Sequence, residues 1–574
     1  MNFTLAQFNP TVGDLEGNYQ AAKKIVNESP DSDLIIFPEL SVVGYPPKDL
    51  LLKPAFVDAA MDYTEKWAQL APGKQGIIFG NVEWTKQKRM GHPAKPLQNC
   101  AYLAHDGEVA QSTEKTLLPT YDVFDEARYF EPSIGTRYMF FRGCKLGVSI
   151  CEDIWNDKEF WKDHIYADDP IERLVVQGAE ILINISASPF VLGKPEIRKK
   201  MLSHIASKYN MALLYVNQVG GNDDVVYDGR SLAFPPDGSL FMEMSPFKEE
   251  TRTVVINIDK KNKKEPATII RSLQSERCEE REIYDALVLG TRDYARKTGF
   301  KKAVLGLSGG IDSAIVAVVA AAAFGKENVL GVGMPSKYSS DHSVNDARGI
   351  AEKLGIEFQV IPIKPAHDAY LEMMRFRFNP NNAAEDSFDV RPWEENIQAR
   401  ARGATLMAIS NEENRLLLTT GNKSEVAVGY CTLYGDTCGG LAVISDVFKT
   451  KVFKLAKWIN RGGQEIIPAN TINKPPSAEL RPNQKDQDSL PPYDLLDLIL
   501  GMYVEDALEF DTIITELIER QCITETFTEK HVKELIRKVD KMEYKRKQLA
   551  PGIKITKRAF GTGWQMPIAE RWMG

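Results

Sequence analysis

Cysteine is scarce in this chain, 7 among 574 residues, an odd number with no CxxC pair. That excludes a disulfide framework and makes a reducing compartment, the cytoplasm, the expected location. Cys431 and Cys438 are near neighbours, but no His/Cys cluster accompanies them, so they do not read as a zinc site. Long apolar runs are missing too. The longest, IVAVVAAAAF at 315–324, is too short and too rich in alanine to span a bilayer, which predicts a buried helix and no membrane partner. The opening MNFTLAQFNP has neither a basic segment nor an apolar stretch of the kind a signal peptide carries, so none is expected. There is no excess of basic charge either. Lys and Arg number 71 against 79 Asp and Glu, a net charge of -8. Nucleic-acid binding needs clustered cations that displace counterions, so nucleic acid is not an expected partner, although a local basic pocket for phosphates stays open. No internal repeat is visible.

What remains is an ordinary globular composition, 43% hydrophobic and 26% charged, with length for more than one core. In the first half, FTLAQFNP, DLIIFPEL, GIIFGNVEW, LGVSIC, ILINISA and ALLYVNQV suit buried strands. Amphipathic helical patterns lie near 18–29 and 195–209. Asp106-Gly107 and Asp237-Gly238 read as hairpin turns. After TVVINID the composition turns strongly charged, which predicts a solvated linker over 261–283 between domains at 1–260 and 284–574. The second half alternates strand and helix: YDALVLGTRDYARKTG, KAVLGL, AIVAVVAAAAFG, VLGVGMP, VNDARGIAEKLG, FQVIPI, ENIQARARGATLMAIS, LLLTTG. Alternation of this kind means βαβ units and a parallel sheet.

Two constellations carry chemistry. Amide hydrolysis through a thiol needs a nucleophile, a base and a cation for the oxyanion. Cys151 ends the strand of LGVSIC and Glu39 follows that of LIIFPEL, positions where α/β sheets meet their ligands. Lys115 follows VAQSTE. FPEL, EKTLLPTYDVFDE and the Cys-Glu-Asp of SICEDIW together closely resemble the Glu, Lys and Cys motifs of nitrilase-family amidases, in the same order and over roughly the first 260 residues. The resemblance implies an αββα sandwich, with Glu39 as general base, Lys115 as transition-state cation, Cys151 as nucleophile and Glu126 as a supporting carboxylate. A lysine beside Cys151 is expected to favour both its thiolate and the oxyanion. NISASPFVLGKPEIRK resembles the glutamine-recognition region of the glutaminase members, which implies Tyr121, Ser188 and Lys194 as glutamine-binding residues. Whether Ser186, Ser188 or Lys194 makes the contact stays open.

The second constellation is SGGIDS. Phosphates need the close backbone approach that glycine permits and free N–H groups at a helix N-terminus. Gly309 and Gly310 meet the first need, Ser308 and Ser313 add hydroxyls, and Asp312 brings a carboxylate suited to Mg²⁺. The loop is not a Walker motif. It resembles the pyrophosphate-binding loop of ATP pyrophosphatases, which adenylate a carbonyl oxygen. TTGNKSEVAVGYCTLYGD, SDVFKTKVFKLA and NKPPSAELRPNQKDQDSLPPYDLLD closely resemble NAD⁺ synthetases over most of 275–500. That implies a Rossmann-like parallel α/β domain of the adenine-nucleotide alpha-hydrolase type. Asp312 and Glu425 would hold Mg²⁺. Arg400, Thr420, Lys449 and Ser477 would join the loop in binding ATP. Asp436 and Lys557 would contact deamido-NAD⁺. The family often shows His-Lys-Arg where this chain has Thr556-Lys557-Arg558.

Jointly the resemblances imply that ammonia freed from glutamine amidates an adenylated deamido-NAD⁺, within a homo-oligomer. Two other readings stay open: a ligase aminating a different nucleotide, and a tRNA-base modifier, which the acidic balance disfavours.

Overall fold

The computed structural model describes residues 1–85, 97–163, 166–257, 278–339, 341–378, 391–477, 479–481 and 484–572. The chain divides into two compact units, Met1–Glu276 and Arg277–Gly574. Of the charged run read as a linker, 261–277 lies outside the described residues. Its end opens a helix, Glu279–Thr298, whose first turn holds Glu279, Glu280 and Glu282. Acidic residues favour the positive end of a helix dipole, so a run that looks like solvated linker also serves as a helix start.

The first unit contains two six-stranded sheets. One runs in the order Glu250–Val255, Asn2–Gln7, Leu34–Ile36, Gly76–Trp84, Leu97–His105, Glu108–Glu114. The other runs Met242–Glu243, Leu232–Phe234, Ala212–Asn217, Ile181–Ser186, Cys144–Ile150, Met139–Phe141. Side chains alternate along each strand, so both faces of each sheet are apolar where both are covered. Phe3, Leu5, Leu34, Ile36 and Ile78 point one way and pack with Leu146, Val148, Ile150, Ile183 and Val216 from the opposite sheet. Their neighbours Ile35, Phe37, Ile77 and Phe79 point the other way, onto Ala22, Val26 and Trp67 of the helices Leu15–Asn27 and Pro54–Ala68. Leu182, Leu213 and Tyr215 meet Met201, Leu202 and Ile205 of the helix Lys194–Tyr209. Helix, sheet, sheet and helix therefore form the expected αββα sandwich. The Asp106-Gly107 turn is found as read, between His105 and its partner Glu108, with both turn residues at positive φ.

The second unit is built on a five-stranded parallel sheet ordered Glu357–Val360, Val329–Gly333, Lys302–Gly306, Arg415–Thr419, Leu441–Ala442. In chain order that is 3-2-1-4-5, so the winding reverses between the first and fourth strands. Ligands of open α/β sheets collect at such a switch point, outside the carboxyl ends. The alanine-rich run lies in the buried helix Ile311–Phe324, and no helix of the described residues is long and apolar enough to cross a membrane.

Candidate active sites

In the first unit, Glu39 lies just past Leu34–Ile36, Lys115 immediately after Glu108–Glu114, and Cys151 immediately after Cys144–Ile150. All three are buried. The Lys115 ammonium donates to Glu39 Oε1 at 2.8 Å and to Glu126 Oε1 at 2.7 Å. Glu39 is held further by Asn99 Nδ2, which donates to Oε1 at 2.7 Å, and by the Ala187 N–H, which donates to Oε2 at 3.0 Å. The turn that carries Glu39 presses on Gly80, where a Cβ would stand 2.2 Å from the Leu40 nitrogen. Only glycine allows that approach. Glu126 also accepts from Tyr45 Oη at 2.7 Å.

Cys151 sits at φ +46°, in a sharp turn from strand into the short helix Cys151–Ile154. Such backbone costs energy and persists where surroundings hold it. Here the buried Asp153 carboxylate accepts from Ile150 N at 3.0 Å and from Thr116 N and Leu117 N at 3.0 and 2.8 Å, joining the nucleophile turn to the residues after Lys115.

Burial pushes the Cys151 thiol well above its ordinary range. The Glu39 charge adds to that, and Lys115 opposes it. Lys115 thus favours the thiolate as expected, but burial and the nearby Glu39 carboxylate outweigh it in the resting site. Burial also works against the Lys115 ammonium, but Glu126 and Glu39 together hold it well above the usual lysine range. Burial pushes Glu126 up to about 7 despite the pull of Lys115.

Around the nucleophile lie groups of both signs. Tyr121 Oη and Tyr166 Oη donate to Glu152 Oε1 at 2.9 and 3.2 Å. Lys194 opens its helix with its ammonium 5.2 Å from the centre of the Trp155 ring, and burial, with Arg198 nearby, pushes it down to about 8. Ser188 is buried, its N–H donating to Asn217 Oδ1 at 2.9 Å. Ser186 Oγ is turned to Asn184 Oδ1 at 2.6 Å. Sequence reasoning passed over Asn99, Tyr166 and Glu152. Glu152 stood inside the Cys-Glu-Asp motif, and its place beside the nucleophile was the available signal.

In the second unit a cavity of about 320 Å³ opens at the switch point. It is lined by Ser308, Gly309, Gly310, Asp312 and Ser313 from the loop, and by Thr420, Glu425, Asp436, Lys449 and Ser477 from later segments. The helix begins at Ile311, so Asp312 and Ser313 lie in its first turn. Ser313 Oγ accepts from Ser308 N at 3.2 Å and donates to Gly310 O at 2.9 Å. Gly309 has φ +79°, and a Cβ there would stand 2.3 Å from Ser343 O.

The tetrapeptide Asn422–Glu425 works as a hub. Asn422 Nδ2 donates to Asp312 Oδ1 at 3.0 Å, while its own Oδ1 caps the Glu425 N–H at 3.0 Å. The Ser424 hydroxyl donates to Asp497 and accepts from Lys449 N at 2.9 Å. Lys449 Nζ pairs with Asp312 and, at 3.3 Å, with Glu425. Burial, with Asp312 adding to it, pushes Glu425 up to about 8. Lys423, fully buried, pairs with Asp446 at 2.9 Å and Glu505 at 2.7 Å and donates to Thr556 Oγ1 at 2.6 Å and Arg558 O at 2.9 Å.

Two predicted residues are placed elsewhere. Arg400 does not line this cavity. Its Nε donates to Leu433 O at 3.2 Å. Arg402 lines it instead, because residues two apart on a helix face nearly opposite sides. Lys557 is exposed and paired with Asp506 at 2.7 Å, outside the lining, while its neighbour Thr556 is buried and donates to Asp446 Oδ1 at 2.8 Å.

Comparison with known proteins gives the same division. Residues 3–263 match the carbon-nitrogen hydrolase family and residues 283–549 the NAD synthase family. A glutamine-dependent NAD(+) synthetase of Synechocystis sp. is 46% identical over 99% of this chain and 98% of its own. One from Thermotoga maritima is 42% identical over 100% of this chain and 99% of its own. Among solved structures, the Acinetobacter baumannii glutamine-dependent NAD⁺ synthetase in complex with ADP is 37% identical, with a TM-score of 0.74 over 99% of this chain and 98% of that one. The chain belongs to the family of glutamine-dependent NAD⁺ synthetases.

Proposed function

We propose that the chain hydrolyses glutamine in its first unit and spends the ammonia in its second, converting deamido-NAD⁺ and ATP into NAD⁺, AMP and pyrophosphate. The observation that carries this reading is the presence in one chain of a buried Glu39–Lys115–Cys151 cluster and a glycine-loop cavity at the switch point of a parallel sheet.

Glutamine would lie with its carboxylate near Ser188 and Lys194 and its ammonium near Glu152, against Tyr121. The resting thiol is neutral, so its proton must leave as the sulfur attacks the side-chain amide carbon. Glu39 takes it, and Lys115 faces the oxygen that gains charge. Collapse of the tetrahedral intermediate returns a proton to nitrogen and releases ammonia. Water, deprotonated by Glu39, then cleaves the thioester to give glutamate. Glu126 keeps Lys115 in register through its 2.7 Å contact.

In the second unit the loop 308–313 would cradle the ATP phosphates with Thr420, Ser477 and Lys449, and Arg402 takes the place first assigned to Arg400. Asp312 and Glu425 fit a divalent cation, for they already converge on one positive group, Lys449 Nζ. Mg²⁺ commonly uses one or two carboxylates and completes its shell with water and phosphate oxygens, which suits a site where the described residues form no group of three or more metal-binding side chains. Bound there, Mg²⁺ would neutralise charge on the polyphosphate. Asp436 would face deamido-NAD⁺. Lys557, exposed here, would reach it only through movement of the tail. The cytoplasm and a homo-oligomer complete the proposal.

The deciding experiment is NAD⁺ formation from deamido-NAD⁺, ATP and Mg²⁺ with glutamine or ammonium chloride as donor. Product with both supports both sites. Product with ammonium alone sinks the working amidase, and product with neither sinks the ligase.

A further inference from the structure

The residues assigned to glutamine, Ser188 and Lys194, sit on separate segments, and one buried carboxylate joins them. Asp228, fully buried at the end of strand Val225–Asp228, receives both ends of the Arg198 guanidinium, Nη1 to Oδ1 at 3.1 Å and Nη2 to Oδ2 at 2.7 Å. Arg198 lies one turn beyond Lys194 on the same helix and stacks 5.4 Å over the Tyr215 ring. A bidentate pair fixes direction as well as distance, so the start of this helix is anchored to Asp228.

The same carboxylate reaches the other segment. Asn217 Nδ2 donates to Asp228 Oδ1 at 3.3 Å and to Gly229 O at 2.9 Å, while Asn217 Oδ1 accepts the Ser188 N–H at 2.9 Å. The backbone adds a parallel link: Phe190 N donates to Val226 O at 2.7 Å, and Pro189 bridges Tyr227. Arg198, Asp228 and Asn217 are each at most 1% exposed. Lys115 and Cys151 are held by other partners, Glu126 and Asp153 among them, and Glu39 by Asn99 and Lys115 as well as by the Ala187 N–H beside Ser188.

We propose that Asp228 is a positioning residue that braces Ser188 and Lys194 against each other and so sets the affinity for glutamine, leaving the thiol chemistry untouched. This rests on the assignment of those two residues to glutamine. A bound amino acid's carboxylate reads the spacing between Ser188 and Lys194, and loss of the brace lets that spacing drift. Because the Arg198–Asp228 pair touches neither the thiol nor Lys115, binding suffers before turnover does.

The test is steady-state kinetics of full-length Asp228→Asn and Asn217→Ala. The first removes the bidentate pair, and the second leaves that pair in place while removing the Asn217 amide that joins Ser188 to Asp228 and Gly229. Asp228→Asn is expected to raise the KM for glutamine by about tenfold, with kcat near wild type and ammonia-driven NAD⁺ formation unchanged. Asn217→Ala is expected to do the same to a smaller extent. Unchanged KM with lowered kcat in either variant overturns the proposal. Should Asp228→Asn fail to fold, the Asn217→Ala result decides. Lys194→Ala separates the layers: if it leaves the glutamine KM unchanged, the glutamine site itself is misassigned, and if it raises KM while the brace variants do not, the brace alone fails.

Discussion

At the scale of single residues, charge and burial make predictions with a sign. The Cys151 thiol is raised by burial and by Glu39, so alkylation by iodoacetamide without substrate should be slow at neutral pH and climb steadily through and beyond pH 9. A plateau near pH 7 would mean a resting thiolate and contradict this site. In the second unit Glu425 is pushed up to about 8, from an ordinary glutamate value near 4.5. Between those values the folded state holds a proton that the unfolded chain has released, so stability falls as pH rises toward 8. The metal-free protein should therefore melt at lower temperature at pH 8.5 than at pH 6, and added Mg²⁺ should shrink the difference. A pH-independent melting temperature without metal would count against a half-buried Asp312–Glu425 pair. Gly309→Ala places a Cβ against Ser343 O at a positive φ. It should lower ATP-dependent synthesis by at least about a hundredfold, as a misplacement near 1 Å can, while glutamine hydrolysis stays intact.

At the scale of elements, the motif order pointed to strand ends carrying Glu39, Lys115 and Cys151, and the structure brings the first two to 2.8 Å. Apolar runs made the strands legible and strand–helix alternation the parallel sheet, because both are local properties of the chain, whereas the sandwich was implied by the resemblance of the Glu, Lys and Cys motifs to nitrilase-family amidases. Distances between segments were not legible. Nothing in ENIQARARG says whether Arg400 or Arg402 faces the cavity, since that depends on how one helix rolls against the sheet. Nor could the charged run at 279–283 disclose that it starts a helix. The tail shows the same limit. Thr556, which departs from the family's usual histidine, reads as a loss on paper, yet its hydroxyl sits between Asp446 and Lys423. That knot fastens the tail to the helix bearing Glu425. Lys423→Met should cost about 3–5 kcal/mol in chemical denaturation, because it takes from the buried Asp446 carboxylate the cation paired with it at 2.9 Å. A loss below about 1 kcal/mol would show that the tail is held by other means.

At the scale of the whole molecule, two units that match different families each carry their own site, and the predictions separate accordingly. Cys151→Ala should abolish glutamine-driven NAD⁺ formation and keep ammonium-driven formation within about twofold. Equal loss of both would mean that the thiol serves the ligase as well. The division itself could be read from the chain, because each unit has its own run of motifs. The groups that surround those motifs could not: Asn99, Glu152, Tyr166 and Asp228 come from strands and loops whose meeting is a product of folding.

A neutral thiol at rest also bears on how long such a molecule lasts. Peroxide attacks thiolates, and damage to a cysteine deepens with each oxidation step beyond the sulfenic acid. Cys151, closed off between two sheets and kept protonated until an amide arrives, is spared most of that exposure. At rest the sulfur should therefore oxidise slowly, as a buried thiol rather than an exposed thiolate.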